Sequence, residues 1–118
     1  MSDKYDIDWQ DTQALWKFSM ESVRIAENYK DARARFGQAL KFLKLKLARE
    51  YGAGRIERRI AEDKAYLILA DTDEDCREAL KVMITEENQY KGLEKVIEAR
   101  QAAVSFNQSL IKNVRQST

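Results

Sequence analysis

The chain has 118 residues, a net charge of +1, no histidine, no proline and one cysteine, Cys76. This length allows one domain or one long helical hairpin and excludes a two-domain enzyme. The missing residue types exclude a disulfide framework, a cysteine and histidine zinc site, and catalysis that depends on histidine. We therefore expect a binding protein that is not an enzyme and that needs neither a cofactor nor a metal.

The same sequence predicts a cytoplasmic location. The first nine residues are acidic and lack the apolar core of a signal peptide. No stretch approaches the roughly 20 apolar residues that a membrane-spanning helix requires. We expect no contact with a membrane.

The first predicted element is a long helix at about 11–51. Its apolar residues alternate in steps of three and four, as one helical face requires, and Ser22 interrupts the row. Asp11 or Thr12 is a suitable N-cap, and the closely spaced Gly52 and Gly54 end the helix. The row consists of Leu15, Phe18, Ile25, Tyr29, Ala32, Phe36, Ala39 and Leu43.

A connector at about 52–72, irregular or partly helical, is expected next. It ends in a strand-like apolar run around Tyr66 to Leu69. Asp71, Asp73 and Asp75 follow, and acidic residues of this kind cap a helix and interact favourably with its dipole. This pattern predicts a second long helix at about 73–113, followed by a frayed polar tail at 114–118.

The second long helix has a regular apolar seam. One member recurs at every seventh residue, whereas Glu86, Arg100 and Asn107 interrupt the companion positions. The members of the seam are Cys76, Met83, Tyr90, Ile97, Val104 and Ile111. Cys76 is expected to be a small buried hydrophobic residue.

These elements predict an all-α fold: two long antiparallel helices joined by a short connector. Helices of about 40 residues are roughly 60 Å long, so we expect a single elongated helical domain over residues 1–118. Two helices alone cannot cover both apolar stripes, and self-association into an oligomer is the expected remedy.

Charge is strongly segmented along the chain. Residues 1–29 carry a net charge of −3, residues 30–60 carry +7, and residues 61–100 carry −5. A basic band on a helix favours a phosphate backbone as partner, because each neutralised phosphate releases condensed counterions. The predicted nucleic-acid-binding residues are Lys41, Lys44, Lys46, Arg49, Arg55, Arg58 and Arg59.

Aromatic residues near this band add little that is specific. Phe42 is the better candidate for stacking on a base, because Phe36 lies on the helical seam and is expected in the core. Trp9 and Trp16, at or before the start of the first helix, are expected to cover an apolar seam or an interface. Solvated surface remains the alternative interpretation of the basic band.

The basic stretch carries a family resemblance. Leu43-Lys44-Leu45-Lys46-Leu47, followed by Tyr51 and Gly52, resembles the UvsY-type recombination mediators of T-even-like bacteriophages. The segment 64–75 resembles the connector and acidic helix start of that family, and the likeness covers residues 24–113. The acidic, tryptophan-bearing N-terminus and the long basic block depart from the family pattern.

The resemblance implies a ring-like homo-oligomer in the cytoplasm of the host cell. Such a protein binds single-stranded DNA and helps a recombinase load onto strands covered by single-strand-binding protein. The basic pair that contacts DNA in the family would fall on Lys44 and Lys46. The alternative is a helical scaffold or protein-binding module, such as a phage assembly factor or an inhibitor of a host protein.

Overall fold

A computed structural model of the chain describes residue 8 and residues 10–117. It contains three helices: α1 (Thr12–Gly52), α2 (Glu62–Thr72) and α3 (Glu74–Ser117). No strand occurs within the described residues, so the prediction of an all-α fold is confirmed. In the same part of the chain, no helix is both long enough and apolar enough to cross a membrane.

Local side chains and glycines set the two ends of α1. At the start, the Asp11 carboxylate accepts a hydrogen bond of 2.9 Å from the Gln13 N–H. At the end, the Arg55 N–H donates to the Glu50 carbonyl at 3.0 Å and the Gly54 N–H donates to the Tyr51 carbonyl at 3.1 Å. This pair of bonds is a Schellman motif, and Gly54 has the positive φ of 72° that the motif requires. The sequence placed this helix at about 11–51.

The connector differs from the strand-like run expected at its end. Residues 53–61 form turns, and α2 then includes the whole of Tyr66 to Leu69. Glu62 and Asp63 lie in the first turn, where the helix dipole favours negative charge. The buried residues have helical spacing and leave Leu67 and Ile68 exposed: they are Ala65, Tyr66, Leu69 and Ala70. Four consecutive apolar residues therefore belong to two faces of a helix.

Asp73 separates α2 from α3. It has an extended backbone, with φ −129° and ψ 117°, and its carboxylate accepts hydrogen bonds from the N–H groups of Asp75 and Cys76 at 2.9 and 3.2 Å. The bond from the Cys76 N–H is the largest cause that lowers the pKa of Asp73. The helix α3 continues to Ser117, through the predicted tail at 114–117, because neither glycine nor proline interrupts that stretch.

Contacts within the chain define two compact units. Unit 1 takes residues up to 29 and from 91 onward, and unit 2 takes residues 30–90. Unit 2 contains all of α2 and a core in which Leu43 and Cys76 are completely buried. Burial raises the pKa of the Cys76 thiol, and Cys76 is the buried residue that its seam position predicts. The other members of this core are Leu47, Ile56, Ala65, Tyr66 and Leu69.

An aromatic pair supports the part of unit 2 nearest residue 90. The rings of Phe36 and Tyr90 meet edge to face with their centroids 5.3 Å apart, and the Arg33 guanidinium lies 4.8 Å from the Tyr90 centroid. Phe36 is half-buried, which agrees with its seam position. Beside it, Arg35 donates to the Glu86 carboxylate at 2.9 Å. Glu86, an interruption of the apolar seam, is therefore matched by a cation on α1.

Candidate nucleic-acid interface

Three of the predicted binding residues form an exposed cationic face on α1. Lys41, Lys44 and Arg49 are all exposed, and none of them has an ion-pair partner among the described residues. At 3.6 residues per turn, Lys41 and Arg49 lie on the side of α1 away from the buried Leu43 and Leu47, and Lys44 lies at the edge between the two sides. The cationic face, defined as Lys41, Lys44 and Arg49, is available to an external anion.

Lys46 lies on a different side of α1 from Lys44. Its Nζ is 3.8 Å from Asp73 Oδ2 and 5.5 Å from the centroid of the Phe42 ring. Two residues along a helix correspond to about 200° of rotation, so adjacent basic positions do not point together. The pair implied by the family resemblance, Lys44 and Lys46, is thus divided between solvent and an acidic neighbour.

The arginines of the connector carry partners of their own. Arg55 makes two hydrogen bonds to the Glu50 carboxylate, at 2.5 and 2.9 Å, and Arg59 pairs with Glu57 at 2.5 Å. The hydrogen bonds from Arg55 lower the pKa of Glu50. These pairs are largely exposed, and exposed ion pairs are weak and easily exchanged for other anions.

Arg58 has no carboxylate partner among the described residues. Its guanidinium carbon lies 5.2 Å from the centroid of the Tyr51 ring, and the side chain remains exposed. A cation held over an aromatic ring keeps its charge available to phosphate. Arg58 therefore extends the positive charge toward the connector, whereas Arg55 and Arg59 are largely neutralised locally.

An apolar depression borders the cationic face. It has a volume of about 250 Å³ and is lined by Phe42, Leu45, Lys46 and Arg49. Phe42 is half-buried and packs against the core of unit 2, so only part of its ring is accessible to a base. Leu45 is 60% exposed in the middle of the cations, a feature that the sequence analysis did not identify. The depression offers apolar surface beside positive charge.

A polar cluster in unit 1 was also missed by the sequence analysis. Arg100 is 9% exposed and is the one buried charged residue within the described part of the chain. Its Nε donates to Ser22 Oγ at 2.9 Å, and its Nη2 donates to the Phe18 carbonyl at 2.8 Å. The guanidinium carbon also lies 3.9 Å from the centroid of the Phe18 ring. In the sequence, Ser22 interrupts the apolar row of α1 and Arg100 interrupts the apolar seam of α3.

Of the two tryptophans, Trp16 lies within the described residues. Trp16 is 68% exposed, so its side chain does not cover the seam of α1. Trp9 lies outside the described residues. Across residues 8 and 10–117, no group of three or more cysteine, aspartate or glutamate side chains is arranged to hold a metal ion.

Comparison with known proteins finds no family model that matches this chain, and no curated protein or solved structure that is significantly similar to it. Its function is therefore inferred from the charges, exposures and contacts described above.

Proposed function

We propose that this chain binds single-stranded DNA as a homo-oligomer and acts without catalysis, as a recombination mediator of the UvsY type. In this role it helps to load a recombinase onto strands covered by single-strand-binding protein, in the cytoplasm of a bacteriophage host. The observation that carries the proposal is the cationic face, where Lys41, Lys44 and Arg49 are exposed and have no ion-pair partner among the described residues.

The proposed mechanism is electrostatic. Each cation that neutralises a phosphate releases condensed counterions, and the released ions favour binding more strongly at low salt. Three cations per chain give a weak contact, but an oligomer repeats that contact along one strand. Lys46, Arg55, Arg58 and Arg59 belong to the same basic stretch of the chain and contribute when a phosphate displaces their present partners.

The apolar depression supports a single strand over a duplex. Bases of a single strand are unstacked and can rest on apolar or aromatic side chains, whereas the bases of a duplex are enclosed. Leu45 and the accessible part of Phe42 provide such a surface beside Lys46 and Arg49. A strand can therefore place its phosphates on the cations and a base in the depression.

We also propose that α1 and α3 run antiparallel within the monomer. In unit 2, Arg35 of α1 pairs with Glu86, and Lys46, further along α1, pairs with Asp73 at the start of α3. As the residue number rises along α1, from 35 to 46, the number of the paired residue falls, from 86 to 73. The two helices therefore run in opposite directions in this proposal.

Fluorescence anisotropy with a labelled oligodeoxythymidylate tests the proposal. We expect the triple variant Lys41→Ala, Lys44→Ala and Arg49→Ala to bind the strand roughly 10- to 100-fold more weakly at low salt. A matched control removes three other exposed lysines, Lys64, Lys95 and Lys112, and changes the net charge equally. Equal loss of affinity in both triple variants would show that only total charge matters and would overturn the assignment.

A second pair of variants tests the preference for single strands. Leu45 and Leu67 are exposed to nearly the same extent, 60% and 61%, and both belong to unit 2. We expect Leu45→Ser to weaken binding to the single strand by about 3- to 10-fold, whereas Leu67→Ser leaves it unchanged. Binding to a duplex of the same length should respond to neither substitution.

The alternative function is a helical scaffold or protein-binding module. The exposed apolar side chains of unit 1, among them Trp16 and Phe106, favour this alternative. The two functions separate in the anisotropy experiment, because a scaffold shows no measurable binding to single-stranded DNA at low salt.

A further inference from the structure

Unit 1 is poorly filled compared with unit 2. Among the described residues, twelve hydrophobic side chains are buried, and eleven of them belong to unit 2. Phe18 is the one that belongs to unit 1. Because burial of apolar surface is the main source of folding free energy, the described residues of unit 1 contribute little to holding its two helical segments together.

The difference lies in a third helix. In unit 2, the helix α2 contributes Ala65, Tyr66 and Leu69 to the core. In unit 1, the described helical residues belong only to α1 and α3, and a groove of about 600 Å³ lies open on them. Apolar side chains dominate its lining, including Phe18, Ile25, Ala26, Ile97 and Val104.

The heptad register identifies what the groove lacks. Ala26, which lines the groove, precedes Leu40 by two heptads, and Gln101 of the groove follows Leu80 by three heptads. Leu40 and Leu80 pack against the unit 2 core that α2 completes. Equivalent heptad positions thus pack against a core that includes α2 in unit 2 and line an open groove in unit 1, so a helix is the expected occupant.

The chain itself carries an apolar helical stripe with no described partner. Trp16, Met20 and Val23 are spaced by four and three residues on α1, and they are 68%, 50% and 51% exposed. They adjoin one another along one surface depression, and none of them lines the groove. Together they expose roughly 300 Å² of apolar surface, which is within the size range of the largest apolar patch on a typical monomer, and such patches are often functional.

We propose that the Trp16, Met20 and Val23 stripe of one copy occupies the unit 1 groove of the next copy. This inference rests on the proposed homo-oligomer and adds its interface. The contact is heterologous, because it joins two different surfaces, so every copy offers one stripe and one groove. Repetition of such a contact closes into a ring when the rotation between neighbours allows it.

Two substitutions at exposed positions test each surface separately. Met20→Glu places a charge in the stripe, and Ala26→Arg fills the groove with a long charged side chain. Both new residues are good helix formers, so the isolated chain should keep its helicity. Ala102→Arg is the matched control, because Ala102 is an exposed alanine of unit 1 that does not line the groove.

Analytical ultracentrifugation without nucleic acid distinguishes the outcomes. We expect the wild-type chain and Ala102→Arg to exceed twice the 13.8 kDa chain mass. Met20→Glu alone and Ala26→Arg alone should associate at least about 100-fold more weakly, because a charge would be buried in an apolar contact. An equimolar mixture of these two variants should recover a 1:1 dimer, since each retains the surface that the other lacks.

Three results would overturn the inference. A wild-type chain that stays at 13.8 kDa would assign the groove to a different protein. Retention of the wild-type mass by either single variant, or failure of the mixture to form a dimer, would exclude this pairing of surfaces. Where circular dichroism shows a variant to be unfolded, Trp16→Glu and Ser105→Arg provide a second pair. An assembly that forms but does not bind DNA would contradict only the proposed function.

Discussion

The hydrogen bond between Arg100 and Ser22 should appear as a large coupling energy. Arg100 Nε donates to Ser22 Oγ at 2.9 Å, and Ser22 Oγ in turn donates to the Phe18 carbonyl at 2.8 Å. Ser22→Ala removes an acceptor from a buried guanidinium, and a hydrogen bond to a charged group contributes about 1.5–3 kcal/mol. Alanine returns roughly 0.5 kcal/mol through its higher helix propensity. We therefore expect Ser22→Ala to cost about 1–2.5 kcal/mol.

Arg100→Met should cost less than its two hydrogen bonds suggest. The Phe18 carbonyl keeps the hydrogen bond from Ser22, and methionine fills much of the space that the arginine stem occupied. Loss of the contact with the Phe18 ring and of the 3.7 Å ion pair with the partly exposed Glu21 costs about 1–2.5 kcal/mol, but relief of the desolvation of a buried charge offsets most of it. The net change in unfolding free energy should be about 0–1.5 kcal/mol.

Chemical denaturation of the four chains at one fixed protein concentration measures the coupling. Once Arg100 is absent, Ser22→Ala should add little, so the double variant should be about 1–2 kcal/mol more stable than the sum of the single changes predicts. Ser19→Ala, at an exposed serine of the same helix, is the control and should show no coupling to Arg100. Additivity of Ser22→Ala and Arg100→Met within about 0.5 kcal/mol would refute this role for the polar cluster.

Three further predictions concern unit 2. Leu43→Ala should lower the free energy of unfolding by about 2–5 kcal/mol in denaturant titrations, because Leu43 is completely buried; a change under 1 kcal/mol would contradict its place in the core. Gly54→Ala should destabilise the chain by about 1 kcal/mol, because the backbone φ of Gly54 is 72°. Gly52→Ala should be neutral or slightly stabilising, because a Cβ at Gly52 would meet open space. Equal effects of the two substitutions would argue against the Schellman motif. Asp73 has a lowered pKa, so its contribution to stability is present above its unfolded pKa and is lost as pH falls through the folded value. Asp73→Ala should therefore lower the melting temperature at about pH 7 and change it little at about pH 2. An equal decrease at both pH values would exclude the role of Asp73 as a helix cap.

Local signals explain which parts of the fold were predictable. Asp11, Gly54 and Asp73 act on the backbone within a few residues of themselves, so helix ends can be read from the chain alone. The apolar run from Tyr66 to Leu69 was ambiguous, because a short stretch that is apolar on every side has no period. Its helical form follows from packing against the core of unit 2, which the sequence does not display.

The site shows a similar division. Sequence located the cations, but their availability depends on which acids other elements bring close. Lys46 meets Asp73 from 27 residues away, whereas Lys44, two residues earlier, meets no acid among the described residues. The hydrogen bond between Arg100 and Ser22 likewise depends on the register of two helices. In the sequence, each residue is only a polar interruption of its own apolar row, so the pairing could not be predicted.

The salt dependence of single-strand binding tests the central claim most directly. The claim is that Lys41, Lys44 and Arg49 contact phosphates, and each such contact contributes about −0.7 to the slope of log affinity against log salt concentration. The triple alanine variant at these positions should therefore show a slope about two units shallower than the wild type for each chain engaged. The control without Lys64, Lys95 and Lys112 should retain the wild-type slope. An unchanged slope in the first variant would contradict the account.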